Sequence, residues 1–509
     1  MNGVDGRQGR PFVSPLVTML VVGAVALCLP IGQGDLRHDA PTYAWMAKRV
    51  AATGQWLNLY YDWDGKLPYY NKPPLQFWIT ALVYKAFGAS AGTARIVPAV
   101  LWLASAAMLY RIVRTGYSRA LAATAGLILC LQREIIGNVL EVRLEGGMVL
   151  GQLIATYGAL HLLRSKRSDT SSHFSSWFLI GLGCGLGLMF KGGATALCVP
   201  VFLTAACWGR RWDLLRNWRG MLLAVGMTLI VAGPWFIGQW LVWRDQFVEG
   251  LRKDAVEQQI HFDNHPLAVF LFYYVRRVPE SYWYTLLLAL VGAWTLWTRS
   301  KRHAASHAPA RGTLSRPLER LAVCWIVVVF VLIHCSSLRT IRYAIPIYPW
   351  LAVISAIGLF AWKPMASFWR RFGLPYAAGI AVAVAAAVVV FRIQIVETYA
   401  PEMLRTASRV ARDVPAARRL SPPPPTAPTI RVLSSDEAFN DQMQCLWQFY
   451  TDVRVEHLTP SAMSSIQTGD FVVLIRDDKS YDDMLLAAAA TPRLRPLDDG
   501  RHYRIFSMR

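Results

Sequence analysis

Two side chains near the start of the chain are of types that can carry out group transfer. Asp39 follows the first long apolar run, and Lys72 opens the stretch Lys72-Pro73-Pro74, which leads into an aromatic-rich apolar segment. A carboxylate can accept a proton from an attacking hydroxyl, and a lysine ammonium can hold an anion. The pattern predicts a catalytic loop at a membrane–water boundary; the alternative is two solvated charges beside an aromatic belt.

Later segments place further charged residues at the ends of apolar runs. These are Glu141, Arg143 and Glu145 in one segment, Lys191 in a second, and Arg339 and Arg342, ahead of Tyr343, in a third. Arg can bind phosphate in a bidentate manner and Lys binds it as a point charge, so Lys72, Lys191 and Arg342 are candidates to converge on one phosphate. The alternatives are contacts with lipid head groups, or Arg–Glu pairs that join two helices.

The composition indicates which elements must position these residues. Hydrophobic residues make up 54% of the 509 residues, and long apolar runs recur, which indicates a polytopic membrane protein. The net charge of +21 would suggest nucleic acid as a partner of a soluble protein. Here much of the basic excess lies in short loops between apolar runs, where cytoplasmic retention explains it better. The eight Cys show neither a disulfide framework nor zinc-ligand spacing.

The apolar runs predict a series of membrane spans joined by loops of alternating charge. The predicted spans are at about 12–31, 95–110, 118–133, 147–163, 175–190, 194–208, 219–242, 281–297, 321–336, 343–361 and 373–392. The first is interpreted as a retained signal anchor. With the N-terminus inside, every inner loop is rich in Lys or Arg, as the positive-inside rule requires. These inner loops are 111–119, 164–167, 210–219, 299–320 and 363–371.

The alternation holds only if the segment 75–87 does not cross the membrane. The outer loops are then 32–94, 134–146, 191–193, 243–280, 337–342 and everything after about 393. The segment 75–87 is shorter than the roughly 20 residues that a crossing helix needs. We therefore predict a re-entrant or interfacial helix there, with Lys72 at the outer surface.

A second domain follows the last span. The division is a membrane domain (1–400), a helix and Pro-rich linker (401–429) and a small outer domain (430–509). An amphipathic helix is expected at 393–417, and the run Ser421–Pro425 is typical of a stiff linker. The segments 430–433, 471–475 and 502–506 have the pattern of short strands with helical pieces between them, which predicts an α/β domain.

In their order along the chain, these motifs resemble a known family. The motifs are Asp39 after the first span, the Lys-Pro-Pro stretch within Asn71–Trp78, the Arg143-Leu144-Glu145 loop, and the span starts Lys191-Gly192 and Arg342-Tyr343-x-x-Pro346. They resemble the GT-C membrane glycosyltransferases of the protein O-mannosyltransferase and lipid A aminoarabinose transferase-like group (glycosyltransferase family 39-like). The resemblance covers residues 10–400, and the tail is similar to the outer domain that such bacterial enzymes often carry.

The resemblance implies an α-helical polytopic membrane protein with the GT-C fold and about 11–13 transmembrane helices. It would lie in a bacterial inner membrane, with the active site and the small C-terminal α/β domain on the periplasmic side. The donor would be a sugar on a polyprenyl phosphate such as undecaprenyl phosphate. The acceptor would be lipid A, another glycolipid or polysaccharide, or a protein, and the transfer would invert the anomeric centre. Membrane lipids would be partners, and nucleic acid would not.

The resemblance also assigns roles to residues. Asp39 and Glu145 would be the catalytic acids, and Lys72, Lys191 and Arg342 would bind the donor phosphate. Further candidates for the site are Tyr43, Arg143, Arg339 and Tyr343. No cofactor is certain, and a divalent metal ion stays open.

Several positions depart from the family pattern. Ala40 stands where the family usually has Glu, and Glu145 where it commonly has Asp. The aminoarabinose enzymes carry a basic residue in place of Thr42 and usually an acid in place of Asn71. The resemblance therefore does not identify the sugar or the acceptor.

Two other classes of protein compete with this interpretation. A polytopic transporter or lipid flippase would also have many spans with outer charges, but it should show repeated halves and polar residues near mid-membrane. A lipid-binding scaffold would present the tail domain to a partner, and it leaves the loop that holds Asp39 and Lys72 without a role. The predicted span interiors are nearly free of charge, which favours the enzyme.

Overall fold

A computed structural model describes most of the chain. The described residues are 14–70, 72–165, 170–256, 267–305, 316–334, 340–391, 393, 429–434, 441–451, 453–467, 470–475, 478–491, 493–499 and 503–508. Arg339, nearly all of the predicted helix 393–417 and the predicted linker lie outside these ranges.

The described chain up to residue 391 is built mainly of helices. They are α1 (Pro15–Cys28), α2 (Ala40–Thr53), α3 (Leu75–Phe87), α4 (Ala91–Arg114), α5 (Arg119–Cys130), α6 (Arg133–Leu140), α7 (Glu145–Arg164), α8 (Thr170–Lys191), α9 (Cys198–Trp208), α10 (Trp212–Leu215), α11 (Trp218–Trp243), α12 (Asp245–Val256), α13 (Leu267–Ser281), α14 (Trp283–Ala305), α15 (Arg316–His334), α16 (Tyr348–Ala361), α17 (Lys363–Phe368) and α18 (Leu374–Val390). Two 3₁₀ segments, Gly192–Leu197 and Ile341–Ile347, lead into α9 and α16.

The apolar helices make this a multi-pass membrane protein. In the described ranges, 6 helices are long and apolar enough to cross a membrane, or up to 8 if each of two bent pairs is one span. This is fewer than the 11–13 that the resemblance implied. Two facts lower the count. Helix α1 has only 14 residues and is too short to be included, and the 36 residues His173–Trp208, where two spans were predicted, count as one. The segment 75–87 does form one short helix, α3, as predicted.

The stretch His173–Trp208 turns back on itself. Gly192 has a positive φ of 63°, which a glycine adopts at little cost and which ends α8. The ring centroids of Trp177 on α8 and Phe202 on α9 are 5.8 Å apart, whereas one straight helix would separate these residues by roughly 37 Å. α8 and α9 are therefore antiparallel neighbours, and the chain turns directly after Lys191.

Glycines bring α7 and α8 close together. A Cβ built on Gly151 would lie 2.6 Å from the carbonyl oxygen of Gly183, and one on Gly183 would lie 2.4 Å from the amide nitrogen of Ala155. Small residues at such positions let two membrane helices approach closely. Because the two helices run in opposite directions, Glu145 at the start of α7 lies beside Lys191 at the end of α8.

Contacts join four of the five predicted inner loops at one end of the helices. The hydroxyl of Tyr117 donates a hydrogen bond to Glu319 at 2.5 Å. Arg211 donates to the carbonyl oxygens of Leu162 and Ser165 at 2.9 and 3.1 Å. Residues of the predicted outer loops meet at the opposite end, where the candidate site lies. The contacts therefore group the loops as their charges predicted.

The tail forms a small α/β domain. Its strands are β1 (Thr429–Leu433), β2 (Arg454–Leu458), β3 (Phe471–Ile475), β4 (Leu494–Asp499) and β5 (Tyr503–Met508). The sheet order is β2-β1-β3-β5-β4; β1 pairs in parallel with β2 and β3, and β5 pairs antiparallel with β3 and β4. Helices α19 (Asp441–Thr451) and α20 (Tyr481–Ala490) pack on opposite faces of the sheet. Three strands were predicted, whereas β2 and β4 were not.

The tail domain is docked on the first outer loop. Lys48 on α2 donates a hydrogen bond to the carbonyl oxygen of Phe449 on α19 at 2.7 Å. Arg454 on β2 forms an ion pair with Asp64 at 3.1 Å. Phe449 belongs to a buried apolar cluster that also contains residues of α2, α3 and α4. The tail domain therefore lies at the same end of the molecule as Asp39.

Candidate active site

Asp39 lies at the start of α2, where a carboxylate ordinarily caps the helix. An Asp at this position commonly accepts a hydrogen bond from a backbone N–H of the first turn, but Asp39 makes no such bond. Its Oδ2 instead accepts hydrogen bonds from Nη1 of Arg143 and from Nη1 of Arg342, the second at 3.2 Å. The side chain is 28% exposed, so a substrate hydroxyl can approach it.

Arg143 links Asp39 to the second outer loop. Besides Asp39, it contacts Oε2 of Glu141 through Nε and Nη2 at 2.8 and 2.7 Å. Burial lowers the pKa of Arg143, but the nearby carboxylates of Asp39 and Glu141 outweigh burial and raise that pKa above its ordinary value. The guanidinium therefore stays charged and holds both carboxylates.

Glu145 and Lys191 form a buried ion pair at the adjacent ends of α7 and α8. Nζ of Lys191 donates a hydrogen bond to Oε1 of Glu145, and the two side chains are 15% and 2% exposed. Oε2 of Glu145 is buried and has no hydrogen-bond partner among the described residues. An uncompensated charge at such a position costs several kcal/mol, so each member of the pair keeps the other ionised.

Lys72 lies just before α3 and close to the turn that follows Lys191. Ring carbons of Pro73 lie 3.9 Å from a Cβ built on Gly192, so the two segments pack together. Lys72 and Arg342 both act electrostatically on the Lys191 ammonium. The fold therefore brings together the three residues that the sequence analysis assigned to a phosphate.

The two tyrosines predicted as further site residues lie beside different members of this cluster. Tyr43 is buried on α2 and packs edge-on against Phe77, with ring centroids 5.5 Å apart. Burial raises the pKa of Tyr43, and the neighbouring Asp39 adds to the shift. The hydroxyl of Tyr43 therefore stays protonated.

Tyr343 lies next to the cations. The Lys191 ammonium and the Arg342 guanidinium are 6.0 and 5.9 Å from the centroid of its ring, within the range of a cation–π interaction. Tyr343 thus helps to place both side chains. Arg339, the remaining predicted site residue, lies outside the described residues.

Two residues that fix the site were not found from the sequence. Gln76 on α3 is buried, and its Nε2 donates to the carbonyl oxygens of Val142 and Arg143 at 3.0 Å each. Val142 has a φ of 53°, which is costly for a β-branched residue and is kept only where the surroundings hold it. Arg95 is a buried arginine inside α4. A charged residue in a predicted apolar span is unusual, and this feature of the sequence could have identified Arg95 as a functional candidate.

The charged side chains of the cluster leave a positive excess. The cations are Lys72, Arg143, Lys191 and Arg342, and the carboxylates are Asp39, Glu141 and Glu145. The formal charge of these seven side chains is therefore +1. The cluster can bind a monoanion beside the cations while Asp39 stays in reach of a second substrate.

The carboxylates are engaged by cations in the described part of the chain. No group of three or more His, Cys, Asp or Glu side chains there is arranged to hold a metal ion. Arg143 bridges Asp39 and Glu141 by donating hydrogen bonds to both carboxylates. The two side chains do not fit a metal site as they are placed.

The sequence is similar to membrane glycosyltransferases. A family model described as dolichyl-phosphate-mannose-protein mannosyltransferase matches residues 71–237. The undecaprenyl phosphate-alpha-4-amino-4-deoxy-L-arabinose arabinosyl transferase of Shewanella sediminis is 26% identical over 341 residues. That match covers 65% of this chain and 57% of the relative, so the chain spans less than two thirds of the relative's length.

The fold is similar to solved structures of the same kind. The crystal structure of ArnT from Cupriavidus metallidurans bound to undecaprenyl phosphate has a TM-score of 0.70 and 17% identity, and covers 97% of each chain. The archaeal oligosaccharyltransferase AglB from Archaeoglobus fulgidus has a TM-score of 0.52 and 11% identity, and covers 97% of this chain and 74% of that chain. These likenesses establish the fold and confirm the resemblance that the motifs indicated.

Proposed function

We propose that this chain, whose fold is that of the GT-C glycosyltransferases, transfers a sugar from a polyprenyl phosphate to an acceptor at the outer surface of a bacterial inner membrane. One observation carries the proposal: a carboxylate and three cations from four separate segments converge at one end of the helices. They are Asp39, Lys72, Lys191 and Arg342. This arrangement combines an anion site with a proton acceptor.

The cations suit the phosphate of a lipid-linked sugar. A sugar attached to a polyprenyl phosphate carries one negative charge, which matches the formal excess of +1 in the cluster. As the sugar leaves, further charge develops on the phosphate, and fixed cations stabilise it in the transition state. The relative from Shewanella sediminis is named for an undecaprenyl phosphate sugar, and the ArnT structure contains undecaprenyl phosphate. We therefore infer an undecaprenyl phosphate donor for this chain.

The two acids take different parts in the proposal. Asp39 is partly exposed and accepts the proton of the acceptor hydroxyl as the new bond forms. Glu145 is 2% exposed and bonded to Lys191, so it acts through that lysine by keeping it charged and in place. This refines the expectation that both acids are catalytic.

The acceptor that we propose is a lipid or glycan of the outer leaflet. The donor phosphate is anchored by its tail at the membrane surface, so an acceptor in the same plane reaches Asp39 most directly. Lipid A is the first acceptor to test. The identity of the sugar stays open, because Ala40, Thr42 and Asn71 depart from the family pattern.

The test uses the purified full chain in lipid nanodiscs. It is incubated with undecaprenyl phosphate carrying aminoarabinose, mannose or glucose, and with lipid A, while mass spectrometry follows the acceptor. Formation of glycosylated acceptor together with undecaprenyl phosphate supports the proposal. A second assay places the protein in proteoliposomes and follows the intact lipid-linked sugar across the bilayer. The protein would be a flippase if this lipid crosses the bilayer while no sugar is transferred, either to lipid A or to glycolipids and polysaccharides prepared from a deletion strain.

A further inference from the structure

The segment that leads to Asp39 is held through its backbone by one buried arginine. Arg95 on α4 is 1% exposed. Its Nη1 donates to the carbonyl oxygens of Ile31, Gln33 and Gly34 at 3.0, 2.6 and 3.2 Å, and its Nη2 donates to that of Asp35 at 2.6 Å. A planar guanidinium with several donors can hold such an irregular backbone in one conformation.

The same arginine also holds the second outer loop. Nε of Arg95 donates to the carbonyl oxygen of Leu140 at 2.9 Å. Leu140 ends α6, Glu141 follows it directly, and Arg143 comes two residues after Glu141. Arg95 therefore fixes the distance between the loop that carries Asp39 and the loop whose Arg143 binds that carboxylate.

The tail domain also holds this segment, through a contact of its own. The backbone N–H of Leu36 donates to the hydroxyl of Tyr450 on α19 at 3.1 Å. Leu36 and Val142 are each 1% exposed and belong to the buried cluster that contains Phe449 of α19. Only two residues separate Leu36 from Asp39 in the sequence, so a shift of α19 would be passed on to the carboxylate.

We propose that Arg95 and Tyr450 are positioning residues for Asp39, so that the tail domain is a working part of the active site. The inference rests on the proposed function. Neither residue touches the reacting atoms; both set where the carboxylate lies relative to the bound donor. A misplacement of about 1 Å in such a group can cost a hundredfold in rate. Loss of either contact should therefore lower kcat and leave the binding of the donor phosphate unchanged.

The test compares conservative variants of the full chain. Tyr450→Phe removes one hydroxyl, and Arg95→Lys keeps the charge but cannot reach all five carbonyl oxygens. Two matched control variants change residues elsewhere in the molecule. The first, Tyr503→Phe, removes a hydroxyl within the tail domain, where the ring of Tyr503 packs against Trp447. Arg211→Lys loses comparable bonds to carbonyl oxygens at the inner end of the helices.

The measured quantities are kcat and KM for the lipid-linked sugar that the wild type uses, and the affinity for undecaprenyl phosphate. Tyr450→Phe should lower kcat about fivefold and Arg95→Lys about a hundredfold, with KM and affinity within about twofold. The controls should change kcat less than about twofold. Size-exclusion and melting profiles confirm the fold, and Tyr450→Phe, the milder change, keeps the test open if Arg95→Lys does not fold.

A double-variant cycle separates positioning from general stability. If Tyr450 acts through Asp39, then Tyr450→Phe should have almost no effect on the residual transfer of Asp39→Asn. The inference would be overturned if the rate losses of Tyr450→Phe and Asp39→Asn multiply in the double variant, or if the control variants lose as much kcat as Tyr450→Phe. Either result would show that Tyr450 only stabilises the fold. An inactive wild type would contradict the proposed function itself, which is a different result from an active wild type with unaffected variants.

Discussion

The ion pair between Glu145 and Lys191 gives the sharpest test of the charge balance in the site. The substitution Glu145→Gln keeps the size of the side chain and one oxygen that can accept a hydrogen bond from Lys191. It removes the negative charge that compensates the buried ammonium. We expect a less stable protein that gains more stability from an added anion than the wild type does.

The size of the effect follows from burial. Removing one partner of a buried ion pair typically costs about 3–5 kcal/mol. Lys191 is 15% exposed, so some water reaches the ammonium and the lower end, about 3 kcal/mol, applies. With Lys191 protonated, the formal charge of the seven-residue cluster then rises from +1 to +2, and a bound anion takes the place of Glu145 in keeping the ammonium charged. An anion bound to the folded state at a hundred times its Kd adds about 2.7 kcal/mol of stability.

The assay is thermal melting of the purified protein with and without undecaprenyl phosphate. Glu145→Gln should lower the melting temperature, and undecaprenyl phosphate should raise it by more than in the wild type. The double variant Glu145→Leu/Lys191→Met should regain stability, because a buried pair can be replaced by apolar groups of similar volume at little cost. It should still bind undecaprenyl phosphate more weakly, because one cation is gone.

A matched control is the exposed pair Glu249 and Arg252, whose side chains are 44% and 68% exposed. Glu249→Gln should change the melting temperature very little, since water and salt screen exposed pairs and leave them little effect on stability. The reasoning is refuted if Glu145→Gln melts like the wild type, or if the two Glu→Gln variants lose the same stability. An equal response of wild type and Glu145→Gln to undecaprenyl phosphate would show that the anion does not replace the lost charge.

Three further predictions follow from the site and the loop charges. Asp39→Asn should keep membrane insertion and lower the initial rate of transfer about a hundred- to ten-thousand-fold; a near-normal rate in folded protein would show that the base is elsewhere or that the acceptor is already an anion. Lys72→Ala should weaken binding of undecaprenyl phosphate about tenfold to a hundredfold, and Lys72→Arg should retain part of it, because one charged hydrogen bond contributes about 1.5–3 kcal/mol; unchanged affinity would leave Lys72 as an interfacial anchor. Reporters fused after Arg167 or Arg302 should lie in the cytoplasm and one after Asp436 outside; a cytoplasmic signal at Asp436 would reverse the proposed side of the site.

Much of the fold could be predicted because the membrane limits the choices. A long apolar run must form a helix, since lipid offers no partner for backbone hydrogen bonds, and loop charge then sets the alternation. The count of spans was less predictable, because α1 is short and α5 and α6 bend by 54° at their junction. In the tail domain, the strands β1 and β3 are apolar runs, whereas β2 (Arg454–Leu458) and β4 (Leu494–Asp499) are polar and gave no clear signal.

The candidate site shows the same division. Asp39, Lys72, Lys191 and Arg342 were identified as chemical candidates because charges at the ends of outer spans are unusual. Their pairing was not predicted: Lys191 was expected to face a phosphate, and it is bonded to Glu145. Pairing depends on how closely helices pack, and the sequence shows only that glycines would allow it.

The sequence by itself determined the class of protein and the family whose motifs the charged residues match, and it predicted the side of the membrane on which they gather. These follow from local properties, namely the length of apolar runs, the charge of short loops and the order of motifs. Only the tertiary structure decided which cation holds which carboxylate, and that Arg95 and Tyr450 hold the segment before Asp39. The physical reason is that these contacts join residues far apart in the chain, and the packing of helices and the docking of the tail domain set their distances.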